Sequence, residues 1–93
     1  MPSFVVETYV TAEGRDEFAR AVEDLRTATA ASAGLPRVRL VRSFLVPGDE
    51  MGFHILEASS AADVAAVTSA AGIDAERLVE IVTIEAPVTV GTR

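Results

Sequence analysis

Cysteine and lysine are both absent from this 93-residue chain, and histidine occurs once. Without cysteine there are no disulfides, no thiolate nucleophile and no thiolate metal site. Without lysine there is no Schiff-base chemistry. No apolar run approaches the roughly 18 residues of a membrane helix, and the N-terminus lacks a charged-then-apolar leader pattern. Basic residues are few and scattered, eight arginines against fourteen acidic side chains, for a net charge of −6. A phosphate-tracking nucleic-acid surface is therefore disfavoured. These absences fit a cytoplasmic protein. The arginine-only basic set and the abundant alanine suit a high-GC bacterial chain.

Apolar sequence is plentiful. Hydrophobic residues make up 49% of the chain, high for a length that suits one domain and a small core. A surplus of this kind is often hidden in an interface between copies. No repeat, low-complexity tract or linker divides the chain.

Alternation of β-branched and aromatic residues predicts a strand over 3–10. Thr11 offers an N-cap oxygen for a helix running from Arg15 to about Ser32, with Phe18, Ala21, Val22, Leu25 and Ala28 on one face. Gly34 and Pro36 stop it. Strands follow over 37–46 and 51–58, joined at Pro47-Gly48-Asp49-Glu50, where proline presets φ and glycine frees the reversal. Ser60 caps a second helix, with Asp63 three residues on, Val64, Val67, Ala71 and Ile73 as its buried stripe, and Gly72 as its end. The last strand spans 77–86, leaving 87–93 as a tail beyond a single domain over 1–86. The order βαββαβ with right-handed crossovers gives the α+β ferredoxin-like fold, an antiparallel sheet in the order 4-1-3-2 with both helices on one face.

Each strand carries one ionisable residue near its midpoint: Glu7, Arg42, His54 and Glu80. Read at every second position, the opposite face is purer, with Phe4, Val6, Val41, Leu45, Phe53, Ile55, Val79 and Ile81, and is expected to meet the helices. The charged face then looks toward a second subunit, and two such sheets enclose a dimeric α+β barrel with a small-molecule cavity. In the order 4-1-3-2 the charges fall in the row Glu80-Glu7-His54-Arg42, each within reach of the next. Adjacent carboxylates push one pKa upward, and Glu7 favours the charged form of His54, which makes His54 and Glu80 candidate catalytic residues. Arg42, at the far end of the row, is placed to hold an anionic oxygen, with Tyr9 and Phe44 as aromatic walls and Glu7 completing the ligand-binding set. The same charges also suit structural pairs across a dimer interface. No glycine-rich phosphate loop, nucleophile elbow or paired-histidine motif is present.

Three stretches, Met1-Pro2-Ser3-Phe4-Val5-Val6-Glu7, Val41-Arg42-Ser43-Phe44-Leu45-Val46 through Asp49, and Arg77-Leu78-Val79-Glu80-Ile81-Val82-Thr83-Ile84, resemble the bacterial family called domain of unknown function 4242. The resemblance implies a ferredoxin-like dimer, and for some actinobacterial members nickel binding. Glu7 and Glu80 match the family pattern. Arg42 and Phe53 stand where nickel-type members have a histidine and a cysteine. A guanidinium offers no lone pair to a metal, so the resemblance implies a homodimer without a metal cofactor that accommodates a small anionic molecule. The alternative is a cofactor-free isomerase, cyclase or monooxygenase-like enzyme that moves protons with His54 and a carboxylate. A third reading leaves only interface chemistry. None involves nucleic acid or membrane.

Overall fold

The computed structural model describes residues 1–31, 37–82 and 84. It has β1 at Ser3–Tyr9, α1 at Arg15–Ala31, β2 at Val38–Val46, β3 at Met51–Ala58, α2 at Ala61–Ala70 and β4 at Arg77–Ile81. All strand pairs are antiparallel, in the order β2-β3-β1-β4. This is the expected α+β architecture with the expected sheet order. Gly34, Pro36, Glu85 and the tail 87–93 lie outside the described residues, and β4 ends at Ile81, earlier than the alternation predicted.

Local chemistry accounts for the element ends. Asp16 and Glu17 sit in the first turn of α1, where the helix dipole favours negative charge. The cap differs from expectation. The Thr11 carbonyl accepts from the Gly14 amide at 2.9 Å, and the Gly14 carbonyl then accepts from the Phe18 amide at 2.9 Å. Glycine stands there because a Cβ would lie 3.0 Å from both Thr11 Oγ1 and Val10 Cγ1. In α2 the Ser60 hydroxyl caps as its sequence context predicted, accepting from the Asp63 amide at 3.2 Å. At the other end Gly72 takes φ +74°. The Ile73 amide reaches the Thr68 carbonyl at 2.9 Å and the Gly72 amide the Ser69 carbonyl at 3.0 Å, which is a Schellman closure. Between β2 and β3, Pro47–Asp49 form one turn of 3-10 helix. Glu50, and not Gly48, takes the left-handed φ of 53°.

The helices cover one face of the sheet over a core of Phe4, Val6, Leu25, Val38, Leu56, Ala58, Val64 and Val67. Here the sequence-based face assignment needs correction. Glu7 was expected opposite His54; it pairs with Phe53, while Val6 pairs with His54. A shift of one residue turns every side chain of a strand to the other face. His54 therefore points into the core, and Phe53 and Ile55 point to the open face. In β4, Glu80 pairs with Phe4 and Val79 with Val5, so Glu80 lies on the helix side while Val79 and Ile81 lie on the open side. In β2 the register jumps between Leu40 and Arg42. Val41 is the bulged residue, 42% exposed, and it puts Leu40 and Arg42 on opposite faces.

The physical reason is that β3 is apolar on both faces, so alternation alone cannot orient it. Size does. A Cβ on Gly52 would run into the Phe18 ring, with Cδ1 only 2.8 Å away. The strand must turn its glycine toward α1, and His54 goes with it.

Candidate functional site

The predicted row of four charges is not formed. Glu7 and Arg42 lie on the open face, His54 and Glu80 on the helix face. Glu80 is exposed on the edge strand β4, and β1 stands between it and β3. His54 consequently has neither carboxylate beside it, and the catalytic pairing of His54 with Glu80 loses its geometric basis.

His54 is fully buried. Its ring lies against Phe18, centroids 5.0 Å apart and planes within 14°. The Ser43 hydroxyl and the imidazole Nδ1 are 2.8 Å apart, while Nε2 is buried without a hydrogen-bond partner among the described residues. Burial lowers the imidazole pKa from 6.5 to about 4, since desolvation penalises the charged form. Glu7 was expected to favour the charged form; burial does the reverse. At neutral pH this histidine is uncharged.

Glu7, Tyr9 and Phe44 lie on the open face, and none of them lines the groove beside Arg42. Phe44 stacks on Phe53 with centroids 5.0 Å apart and is still 40% exposed. Glu7 Oε2 is 3.8 Å from Arg77 Nε. Tyr9 is exposed at the end of β1 and donates from its hydroxyl to Glu50 Oε1 at 3.3 Å. The Glu50 carboxylate raises its pKa above the ordinary 10. Arg39 on the same face pairs with Glu57 at 3.0 Å. Arg42 has no acidic partner among the described residues.

Arg42 also lines a groove of about 580 Å³ between α1 and the edge strand β2. Its apolar walls include Phe18, Val22, Val38 and Leu40, and Arg26 and Arg39 stand on it as well. Arg26 is held by Glu23 at 2.8 Å. The volume lies in the usual range of small-molecule sites. A polar rim of guanidinium groups over an apolar floor suits a carboxylate or phosphate joined to an apolar body. Arg26 and Arg39, both largely exposed, line the same groove as Arg42 because α1 packs beside β2, an approach that has no alternation signature. Ser43, Phe18 and Gly52, the surroundings of His54, were missed as well. The bulky residue one turn into α1 and the glycine two residues before the histidine were their only signals.

A nickel site was tested against these positions. Among the described residues no three histidine, aspartate or glutamate side chains converge, and Glu7 and His54 face opposite sides of the sheet. The donor set does not fit a metal. No described helix is long and apolar enough to cross a membrane.

Neither a protein-family model nor a curated protein matches the sequence. Among solved structures, the crystal structure of SCO4226 from Streptomyces coelicolor A3(2) superposes with a TM-score of 0.74. The match covers 89% of this chain and 99% of that one at 17% identity. At that identity the likeness is one of fold, which both chains share almost end to end.

Proposed function

We propose that this protein is a homodimeric binding module for a small anionic molecule, held by Arg42 at the groove between α1 and β2. One observation carries the reading: an arginine without an acidic partner among the described residues, standing beside two further arginines over an apolar floor. The chain as a whole is acidic, and with Arg26 paired to Glu23, which also lines the groove, and Arg39 paired to Glu57, Arg42 is the positive charge left to meet an anion. The second copy belongs on the open sheet face. Val5, Phe44, Phe53, Ile55, Val79 and Ile81 point there, and no described element covers them. Its ion pairs, Glu7 with Arg77 and Arg39 with Glu57, can exchange partners across a two-fold axis, since an isologous contact presents the same patch from both sides.

Light scattering on the purified chain reads the mass, and calorimetric titration with benzoate reads the groove. The expected result is a dimer that Phe44→Glu converts to monomer. Benzoate binding should weaken about tenfold or more in Arg42→Ala, the loss of one charge-assisted contact. A wild-type monomer refutes the assembly, and benzoate binding unaffected by Arg42→Ala refutes the site.

A further inference from the structure

On the helix side of the sheet, a cavity of about 310 Å³ opens between the end of β1, the first turns of α1 and the exit of α2. Thr8, Thr11, Phe18, Ala21, His54 and Ile73 are among its walls. It is separate from the groove at Arg42, and Phe18 is the residue common to both. We propose that this cavity is a second binding site, for a small uncharged molecule bearing a hydroxyl group, with His54 Nε2 as its hydrogen-bond partner.

Three observations support it. First, a buried polar atom left unpaired costs about 1–3 kcal/mol, so such atoms in folded proteins nearly always have a partner. Nε2 has none among the described residues, while Nδ1 is committed to Ser43. His54 lines the cavity and Ser43 does not, so the ring borders the cavity although Nε2 itself is closed off in this arrangement. Second, a water takes about 30 Å³ in the liquid, so a space of about 310 Å³ is about ten waters in size and holds a small organic molecule, not a single trapped water. Third, the charges point to a neutral occupant. Among the described residues no cationic side chain lines the cavity, Glu17 stands on its wall, and the imidazole is uncharged at neutral pH. An anion therefore finds no cationic partner there, and no three ligand side chains converge among the described residues to hold a metal.

The hydroxyl follows from the ambiguity of the Ser43 contact. When Ser43 donates to Nδ1, Nε2 carries the proton and donates; when Nδ1 donates to Ser43, Nε2 accepts. A hydroxyl satisfies either form. Access needs one movement, because no water-sized sphere touches Nε2 in the closed arrangement. Phe18 lies over the ring face and Nε2 bonds in the ring plane, so the movement needed is at the ring edge and not at Phe18.

The chain has a single histidine, which makes the test direct. Long-range proton–nitrogen NMR of ring-labelled protein follows Nε2 during titration with phenol, cyclohexanol and toluene. Phenol or cyclohexanol should move Nε2 saturably, and toluene, which lacks the hydroxyl, should bind at least about tenfold more weakly. Ala21→Leu, which fills the cavity from α1, should abolish the response. Where that variant fails to fold, Ile73→Phe fills it from the opposite wall. No saturable shift with either hydroxyl compound overturns the proposal. So does equal binding of toluene, or a response that survives in a folded cavity-filled variant.

Discussion

A His54→Phe chain keeps an aromatic ring against Phe18 and removes the one core group whose ionisation the fold opposes. In the folded state the imidazole pKa is lowered to about 4 by burial; in the unfolded chain it returns to about 6.5. The unfolded state therefore binds a proton that the folded state refuses, and stability rises with pH across this interval. The contribution is complete above about pH 6.5 and is lost progressively as pH falls toward 4. Each pKa unit is worth about 1.4 kcal/mol, so the wild type should lose about 2 kcal/mol between pH 7.5 and pH 5 from this residue, and about 3 kcal/mol once pH is below 4. Urea unfolding followed by circular dichroism at several pH values gives both curves. Subtracting the His54→Phe curve from the wild-type curve cancels the carboxylates common to the two chains. The difference should decline with acid by these amounts. A difference independent of pH, or an imidazole that titrates near 6.5 in the folded protein, refutes the buried, uncharged histidine.

Two glycines give sharper and more local tests. Gly52→Ala places a methyl against the Phe18 ring, and overpacking of this kind costs about 1–3 kcal/mol; thermal unfolding should show it, and the Gly52→Ala, Phe18→Leu double variant should recover part of the loss. At Gly72 a Cβ meets nothing within 4 Å, so Gly72→Ala should cost about 1–2 kcal/mol through the left-handed backbone alone, while Gly72→Asn, which tolerates that region, should cost less by the same measurement.

The periodicities carried the fold. Strands of two-residue period alternate with amphipathic helices, and turn residues fall at most of the boundaries, so the order βαββαβ and the sheet order follow from topology rules alone. The site was not legible in the same way. Its row required four strands to agree on a face and a register, and each of β2, β3 and β4 departs for its own reason. β3 has Met51, Phe53 and Ile55 on one side and Leu56 and Ala58 on the other, a pattern that alternation reads equally well in both orientations. Van der Waals contact between Phe18 and Gly52 decides, and it is a long-range property of two elements. β4 slips relative to β1 so that Arg77 and not Glu80 meets Glu7. β2 inserts Val41 and reverses its parity halfway. Of the row, Glu7 and Arg42 lie on the face expected of them, and Arg42 also borders a groove with α1 that a strand-only reading does not contain.

The bulge at Val41 has a further consequence for how copies of the chain meet. β2 is an outer strand of the sheet, and its free edge is the kind of surface on which another strand can grow a ladder. The register jump between Leu40 and Arg42 breaks that edge into two short runs out of phase with each other, and Arg39 and Arg42 flank the break. A foreign strand can match one run only by mismatching the other. Continuous sheet growth from this side is blocked, so the edge of β2 does not template an open-ended polymer.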